Sequence, residues 1–114
     1  MKQDALQMSL LFDYYGELLS QKQRTCFDLY YNQDLSLSEI ADELGITRQG
    51  VHDSISRAET ALGEFERVTG CIARDRRTEA ALGKIAQACR KLQTIPDARG
   101  PAQEILQASA TIKE

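Results

Sequence analysis

Apolar residues recur every three or four positions along nearly the whole chain, which is the spacing of one face of an α-helix. The first such stretch runs from Asp4 to Leu19. Its apolar stripe comprises Met8, Leu11, Tyr14, Tyr15 and Leu18. Strand signals are scarce, and the sequence contains neither Asn-Gly nor Asp-Gly, the dipeptides typical of hairpin turns. The pattern therefore predicts an all-α protein.

Helix start signals divide this pattern into further elements. Ser20 and Gln23 have the spacing of a capping box, in which two side chains satisfy free backbone N–H groups of the first turn. Ser36 and Glu39 repeat that spacing. The helix after Ser20 is apolar almost all round, so we expect it at the centre of the core. Its apolar residues are Cys26, Phe27, Leu29, Tyr30 and Tyr31.

Two short amphipathic helices follow each other in the middle of the chain. The first ends at Gly45, a residue that readily adopts the left-handed backbone conformation of a helix C-cap. Thr47 is placed to cap the start of the second helix. Two such helices joined by a three- to four-residue turn with a glycine predict a helix-turn-helix unit. The residues expected to hold it together are Ile40, Ala41, Leu44, Ile46, Val51 and Ile55.

The second helix of this unit is expected to be elongated. Its apolar positions are Val51, Ile55, Ala58 and Leu62, and the stripe continues through Phe65, Val68 and Ile72. Ten extra residues add about 15 Å of helix. This surplus stripe must be covered, either by the first segment folding back or by a second copy of the chain. We therefore predict a homodimer that presents two helix-turn-helix units.

The composition changes after Ala73. This change divides the chain into a helix-turn-helix domain over residues 1–73 and a basic helical extension over residues 74–114. Gly70 and the charged run "RDRR" are expected to interrupt the helix, and Thr78 to begin the next one. The apolar stripe of that next helix comprises Leu82, Ile85, Ala86, Cys89 and Leu92.

Two prolines shape the end of the extension. Pro96 and Pro101 oppose helix continuation, so "TIPDARGP" is predicted to be a loop. The last element is then a short, weak helix from Ala102 to Ile112.

Charge is distributed unevenly along the chain. The whole sequence has 14 Lys/Arg and 17 Asp/Glu, a formal net charge of -3. Residues 36–73 hold three basic and seven acidic side chains, whereas residues 74–100 hold seven basic and three acidic ones. Neutralisation of phosphates supplies most non-specific affinity for duplex DNA. The helix-turn-helix itself therefore gains little of that affinity.

The candidate nucleic-acid contacts lie on the face of the long helix opposite its apolar stripe. They are Arg48, Gln49, His52, Ser56 and Arg57. Arginine pairs with guanine edges and glutamine with adenine edges in the major groove, and Arg48 and Gln49 stand near the helix start. Asp53 on this face would repel phosphates, although it could accept a hydrogen bond from a cytosine amine. The alternative interpretation is a solvated face with no partner.

A second basic patch is predicted in the extension. It comprises Arg74, Arg76, Arg77, Lys84 and Lys91, with Arg90 nearby. Lys84 and Lys91 are seven residues apart and share one helix face. The patch fits either an RNA backbone or an acidic partner, and the alternative is a solvated helix of mixed charge.

The sequence favours no catalytic or metal chemistry. Cys26, Cys71 and Cys89 are far apart, and His52 is the one histidine, whereas a structural zinc site needs about four clustered ligands. We expect no cofactor, no small-molecule substrate and no enzymatic activity. No stretch approaches the roughly 18 apolar residues of a membrane span, and the N-terminus lacks the regions of a signal peptide. A cytoplasmic protein without membrane insertion is expected.

The middle of the chain resembles known helix-turn-helix families. The stretch "LLSQKQRTCFDLYYNQDLSLSEIADELGITRQGVHDSISRAETAL" resembles region 4 of the sigma-factor family, which reads a promoter element and contacts RNA polymerase. From Gln3 to about Glu66 the chain resembles more closely the YlxM-like family of small bacterial helix-turn-helix proteins. The specific string is "RQ-x-V-x-D-x-I-x-R-x-E", filled here by Arg48, Gln49, Val51, Asp53, Ile55, Arg57 and Glu59. His52 departs from that family, which often has tyrosine there.

The second resemblance implies a helix-turn-helix fold of the sigma region 4 type with an elongated recognition helix and a helical C-terminal appendage. Because that family is encoded beside genes of the signal recognition particle and its receptor, the resemblance implies an accessory or regulatory protein of that pathway. The implied partners are DNA, the particle's RNA or its protein components. Two alternatives stay open: a sequence-specific DNA-binding transcriptional regulator, and a protein-interaction module without nucleic-acid binding. The resemblance assigns no role to residues after about Ala73.

Overall fold

The computed structural model describes residues 2–112, and over that range it contains six α-helices and no strand. The helices are α1 (Ala5–Tyr15), α2 (Gln21–Tyr31), α3 (Leu37–Leu44), α4 (Arg48–Thr69), α5 (Cys71–Leu92) and α6 (Arg99–Ile112). Two short 3-10 turns lie at Gly16–Leu18 and Pro96–Ala98. The all-α prediction is confirmed. The chain divides into two compact units, a first unit that ends at Gly70 and a second unit that begins at Cys71.

Side-chain caps set the starts of the helices in the first unit. Both predicted capping boxes are present, at Ser20 with Gln23 and at Ser36 with Glu39. In the second box the Ser36 hydroxyl accepts from the Glu39 N–H at 3.1 Å, and the Glu39 carboxylate accepts from the Ser36 N–H at 3.1 Å. α1 is capped by Asp4, whose carboxylate accepts from two backbone N–H groups of the first turn. These local bonds satisfy donors that a helix leaves free.

The core of the first unit lies between α2, α3 and α4, and α1 packs on α4. Its fully buried large side chains are Phe27, Ile40, Val51, Ile55 and Leu62. The predicted stripe of α4 is therefore confirmed as far as Leu62. Burying this many apolar side chains is the main source of the unit's stability.

The first segment folds back along α4, which was one of the two expected ways to cover the surplus stripe. The Tyr15 ring lies 6.0 Å from the Phe65 ring, centroid to centroid, and the Tyr15 hydroxyl is hydrogen-bonded to Glu66 and Thr69. The stripe does not continue in full, because Val68 is 67% exposed. α4 ends at Gly70, whose φ of 62° is left-handed.

Part of the predicted stripe of α1 is wrong. The helix buries Met8, Leu11 and Tyr15, but Tyr14 and Leu18 are exposed. The reason is that α1 ends at Tyr15, so Leu18 belongs to a 3-10 turn with a different period. In α3, Leu44 is likewise exposed at the helix end rather than buried.

The second unit begins with a continuous helix, contrary to the expected interruption at "RDRR". This run lies inside α5, and Thr78 lies in the middle of that helix rather than at a start. Arginine is a good helix former, so a charged run need not end a helix. The described α5 buries Leu82 and Cys89, whereas Ile85 and Leu92 are exposed.

The predicted loop around the two prolines is shorter than expected. Pro96 lies in a 3-10 turn, but α6 already begins at Arg99, so Pro101 lies within its first turn. A proline is tolerated there because the first turn of a helix has no intrahelical acceptor for its N–H groups. α6 packs on α5 and buries Ala102.

Candidate nucleic-acid interface

A tight turn joins α3 to α4 and fixes the angle between them. Gly45 adopts a left-handed φ of 68°, and its N–H donates to the Ala41 carbonyl. The Ile46 N–H donates to the same carbonyl at 3.1 Å. The Thr47 hydroxyl then accepts from the Gly50 N–H at 2.9 Å and starts α4. The predicted helix-turn-helix, with its glycine and its threonine cap, is present.

The inner side of this corner is closely packed. Val51 and Ile55 of α4 and Ile40 of α3 are fully buried in one cluster with Cys26. Burial raises the pKa of the Cys26 thiol, which keeps that group neutral and apolar. Interiors of this kind are close-packed, so the outer face of α4 is held rigidly by what lies beneath it.

A buried carboxylate also ties α4 to α2. Glu59 of α4 is buried and accepts a hydrogen bond from the Tyr31 hydroxyl of α2. Burial, and then the hydrogen bond to Glu59, raise the pKa of Tyr31 to about 12. The Gln3 N–H donates to the same hydroxyl at 3.1 Å. This contact holds the two helices and the N-terminal segment together.

The predicted contact residues are all on α4, but they do not form one face. Arg48 and Gln49 are exposed at the helix start, and His52 and Ser56 follow on the same side, half-buried. Arg57 is nine residues from Arg48, about two and a half turns, and therefore lies on the opposite side of the helix. Arg57 instead lines a shallow hollow with Ser56, Thr60, Ala61 and Glu64.

Gln49 has a partner that the sequence reading missed. Its amide nitrogen donates to the Asp53 carboxylate at 2.9 Å, along the helix. The same carboxylate oxygen lies 3.5 Å from Nδ1 of His52, a nitrogen that is sheltered from solvent and has no hydrogen bond. Gln and Asp side chains four residues apart on a helix commonly form a hydrogen bond, so the spacing of Gln49 and Asp53 could have predicted this contact from the sequence. This bond uses one N–H of the Gln49 amide, so its second N–H and its carbonyl oxygen remain for another partner.

Acidic side chains outnumber basic ones in the unit that carries this face. The first unit, residues 1–70, contains six Lys/Arg and twelve Asp/Glu. Two of its basic groups are already paired. The Lys2 ammonium lies 2.6 Å from the Asp34 carboxylate, and the Arg67 guanidinium donates to Glu64 and lowers the pKa of that carboxyl. Little positive charge remains to attract phosphates non-specifically. Any nucleic-acid contact here depends on direct bonds from Arg48 and its neighbours.

The predicted second patch lies on α5, where all five of its residues are exposed. Three of them, Arg77, Lys84 and Lys91, follow at seven-residue steps and share one face. Arg74 and Arg76 project to either side of that face, and the Arg74 guanidinium lies 3.9 Å from the Asp75 carboxylate. The patch is therefore a row of three cations with two flanking arginines.

Residues 2–112 contain no group of three His, Cys, Asp or Glu side chains arranged to hold a metal ion. Cys26 and Cys89 are buried free thiols. None of the described helices combines the length and the apolar character needed to cross a membrane.

The corner of α3 and α4, with the exposed start of α4, defines the chain as a helix-turn-helix protein. Residues 2–98 match the family described as "Putative helix-turn-helix protein, YlxM / p13 like". A UPF0122 protein of Thermoanaerobacter sp. strain X514 is 47% identical over 85 residues, which are 75% of this chain and 73% of that protein. A UPF0122 protein of Caldanaerobacter subterraneus is 44% identical over 87 residues, 76% of this chain and 74% of its own. A third UPF0122 protein, from Halalkalibacterium halodurans, is 40% identical over 89 residues, which are 78% of this chain and 82% of that protein.

The chain belongs to the YlxM/p13-like family of helix-turn-helix proteins. The match extends through α5, further than the resemblance read from the sequence, which stopped near Glu66.

Proposed function

We propose that this protein is a helix-turn-helix accessory or regulatory protein of the signal recognition particle pathway that binds nucleic acid through the start of α4. The supporting observation is the presentation of Arg48 and Gln49, exposed on a helix whose inner face is fully buried at Val51 and Ile55. The pathway follows from the gene neighbourhood of the family to which the chain belongs. In this proposal the protein acts in the cytoplasm, transforms no substrate and needs no cofactor.

The contacts proposed at this site are few and direct. Arg48 can donate to guanine or phosphate oxygens, and the carbonyl oxygen of Gln49 can accept from an adenine or cytosine amine. The N-terminus of α4 adds the partial positive charge of the helix dipole. Because the first unit is acidic, we expect a shallow salt dependence, about that of one or two phosphate contacts.

The experiment is the recovery of nucleic acid cross-linked to the tagged full-length protein in cells. The wild type is compared with Arg48→Ala and with a matched control, Arg67→Ala, at the other end of the same helix. Wild type and control are expected to recover the same enriched species, the particle's RNA or a DNA site, and Arg48→Ala to lose at least tenfold. Equal recovery by all three proteins, or recovery by none, would contradict the proposal.

A protein partner is the second candidate, favoured by the position of Asp53. Its carboxylate lies on the face that would approach phosphates and occupies the Gln49 amide nitrogen. A carboxylate suits a basic protein surface better than a nucleic acid. In the same pull-downs this candidate predicts a co-purifying protein that depends on Asp53 and that nuclease treatment leaves in place.

The nucleic acid recovered in the cross-linking experiment distinguishes a DNA-binding regulator from an RNA-binding protein. A transcription regulator of the sigma region 4 type would recover one DNA sequence, and Arg48→Ala would relax the preference at one base pair. Recovery of RNA alone would exclude that version.

We also propose a homodimer. Folding back of α1 covers part of the surplus stripe, but Val68 stays two-thirds exposed on α4. A second copy of the chain would cover the Val68 side chain and so complete the burial of the stripe. Light scattering at tens of micromolar is expected to give twice the chain mass of 12.8 kDa, and a value near the chain mass itself would exclude the dimer.

A further inference from the structure

We propose that the second unit carries a binding surface for the phosphate backbone of a duplex nucleic acid, formed by Arg77, Lys84 and Lys91 of α5. We call these three residues the basic stripe. They lie on the side of α5 opposite its buried residues Leu82 and Cys89, and all three are exposed. The steps of seven residues separate them by about 10.5 Å each, so the stripe extends roughly 21 Å along the helix.

The surface between the three cations carries mostly small side chains. The residues that fill it are Ala80, Ala81, Gln87 and Ala88. The long side chains of Arg77, Lys84 and Lys91 therefore extend beyond the small residues between them, and a rod-shaped partner can approach the helix closely. A groove or a large apolar contact is not required for such an approach.

The three cations of the stripe have no carboxylate partner among residues 2–112. No carboxylate stands three or four residues from any of them, although that is where a solvated helix of mixed charge places its counter-ions. Of the acidic residues of α5, Asp75 lies close to Arg74, and Glu79 is on the other side of the helix. The stripe is thus free to neutralise an external anion.

The kind of anion follows from what the second unit lacks. Residues 71–114 contain no Phe, Tyr or Trp. Single-stranded nucleic acids are held mainly by stacking of bases on aromatic side chains, so a single strand is a poor fit. An interfacial membrane helix and a protein interface both rely on large apolar or aromatic anchors, which are absent between the cations. A duplex needs only positive charge along its backbone.

A shallow hollow lies at one end of the stripe. Lys91 lines it with Gln87, Arg90 and Thr94. The Thr94 hydroxyl already donates to the Lys91 carbonyl at 2.7 Å, so the donors that the hollow offers to a phosphate are the two cations and the Gln87 amide. Charge-assisted hydrogen bonds of this type are the common contacts to nucleic-acid backbones.

This surface is separate from the proposed function of the first unit. It lies on α5 rather than α4, and its alanines give it no means of reading bases. Binding through the stripe is therefore expected to be independent of sequence. DNA and RNA duplexes share the backbone charge, and the experiment compares the two.

The test is fluorescence anisotropy of the full-length protein with labelled duplexes of about 20 base pairs, two unrelated sequences each of DNA and RNA. The variant is R77Q/K84Q/K91Q, and the matched control K22Q/R24Q/R67Q removes the same charge from exposed positions of the first unit. Glutamine has nearly the helix propensity of Lys and Arg, so both variants are expected to fold, as checked by circular dichroism. Three lost phosphate contacts should make the plot of log affinity against log salt concentration shallower by about 2.7. Between 50 and 200 mM salt the wild type should therefore lose about 40-fold more affinity than the stripe variant.

The expected result is similar affinity for the two sequences of one duplex type, lost in the stripe variant and kept in the control. The loss should persist when Arg48→Gln is added to every protein, which separates this surface from the α4 site. Tighter binding to RNA or to DNA identifies which duplex is the natural partner. Equal effects of the two triple variants, no duplex binding at 50 mM salt, or equal binding of polyglutamate or of vesicles with anionic lipid would each overturn the proposal.

Discussion

Leu6 and Leu11 lie on the same helix but in opposite environments, since Leu6 is 85% exposed and Leu11 is 3% exposed. We expect Leu11→Ala to lower the free energy of unfolding by about 2–5 kcal/mol, because it leaves a cavity between α1 and the rest of the first unit. Leu6→Ala, the same change on the exposed side, should stay within about 0.5 kcal/mol of wild type. Urea unfolding followed by circular dichroism measures both. A comparable cost for the two variants would show that α1 does not pack as described.

Tyr31 makes the stability of the first unit sensitive to alkaline pH. Its pKa is raised from about 10 to about 12 by burial and by the hydrogen bond to Glu59. The neutral phenol is therefore favoured in the folded state, and its contribution is present below pH 10 and lost as the pH rises from 10 to 12. The loss is on the order of 1–2 kcal/mol, reduced by partial exposure to solvent. Urea midpoints between pH 9 and 11.5 should fall more steeply for wild type than for Tyr31→Phe, and parallel curves would contradict the assignment.

Individual residues were predictable from the sequence where their partners are close in the chain. Thr47 caps α4 and Arg48 and Gln49 are exposed, as a helix start dictates. The bond from Gln49 to Asp53 is equally local and was overlooked. The contact of Tyr31 with Glu59 spans 28 positions, and no local pattern predicts which buried tyrosine meets which carboxylate.

At the scale of elements, the two glycines at Gly45 and Gly63 should respond in opposite ways to alanine. Gly45 ends α3 at a φ of 68°, where an added Cβ meets no atom within 4 Å but the backbone is strained. The expected cost is about 1 kcal/mol. Gly63 lies inside α4 with open space around it, so alanine there should stabilise by about 0.5–1 kcal/mol. Thermal unfolding of both variants shows whether each substitution lowers or raises stability. A stabilised Gly45→Ala would exclude the left-handed cap.

Element boundaries were predictable where a side-chain cap or a glycine marks them. Ser20, Ser36 and Gly45 each act within four residues, so the sequence alone indicates their effect. Gly70 marks the end of α4 in the same way, and α5 begins directly after it, at Cys71. Thr78 resembled a start but lies in mid-helix, since a threonine caps only where the preceding backbone leaves the helix.

At the scale of the whole molecule, charge follows the division into two units. Residues 1–70 have twice as many acidic as basic side chains, whereas residues 71–114 have eight basic and five acidic ones. Composition alone revealed this contrast, but the arrangement of the basic stripe on one face depends on α5 being continuous. A helix broken before Thr78 would have separated Arg77 from Lys84.

The first unit should fold without the second. All the largest fully buried side chains of its core lie between Cys26 and Leu62, within residues 1–70. The fragment of residues 1–70 is therefore expected to be helical by circular dichroism and to unfold cooperatively with heat. The same fragment with Ile55→Ala should melt at a clearly lower temperature. A coil spectrum of the unsubstituted fragment at low temperature would show that the core is incomplete.

The confinement of every aromatic ring to the first unit has a consequence for spectroscopy. The chain has no tryptophan, and its four tyrosines lie between residues 14 and 31. Intrinsic emission thus reports on one half of the molecule alone, while the amide signal in the far ultraviolet reports on both. If the two transitions separate on heating, the difference between them isolates the melting of α5 and α6 without any label.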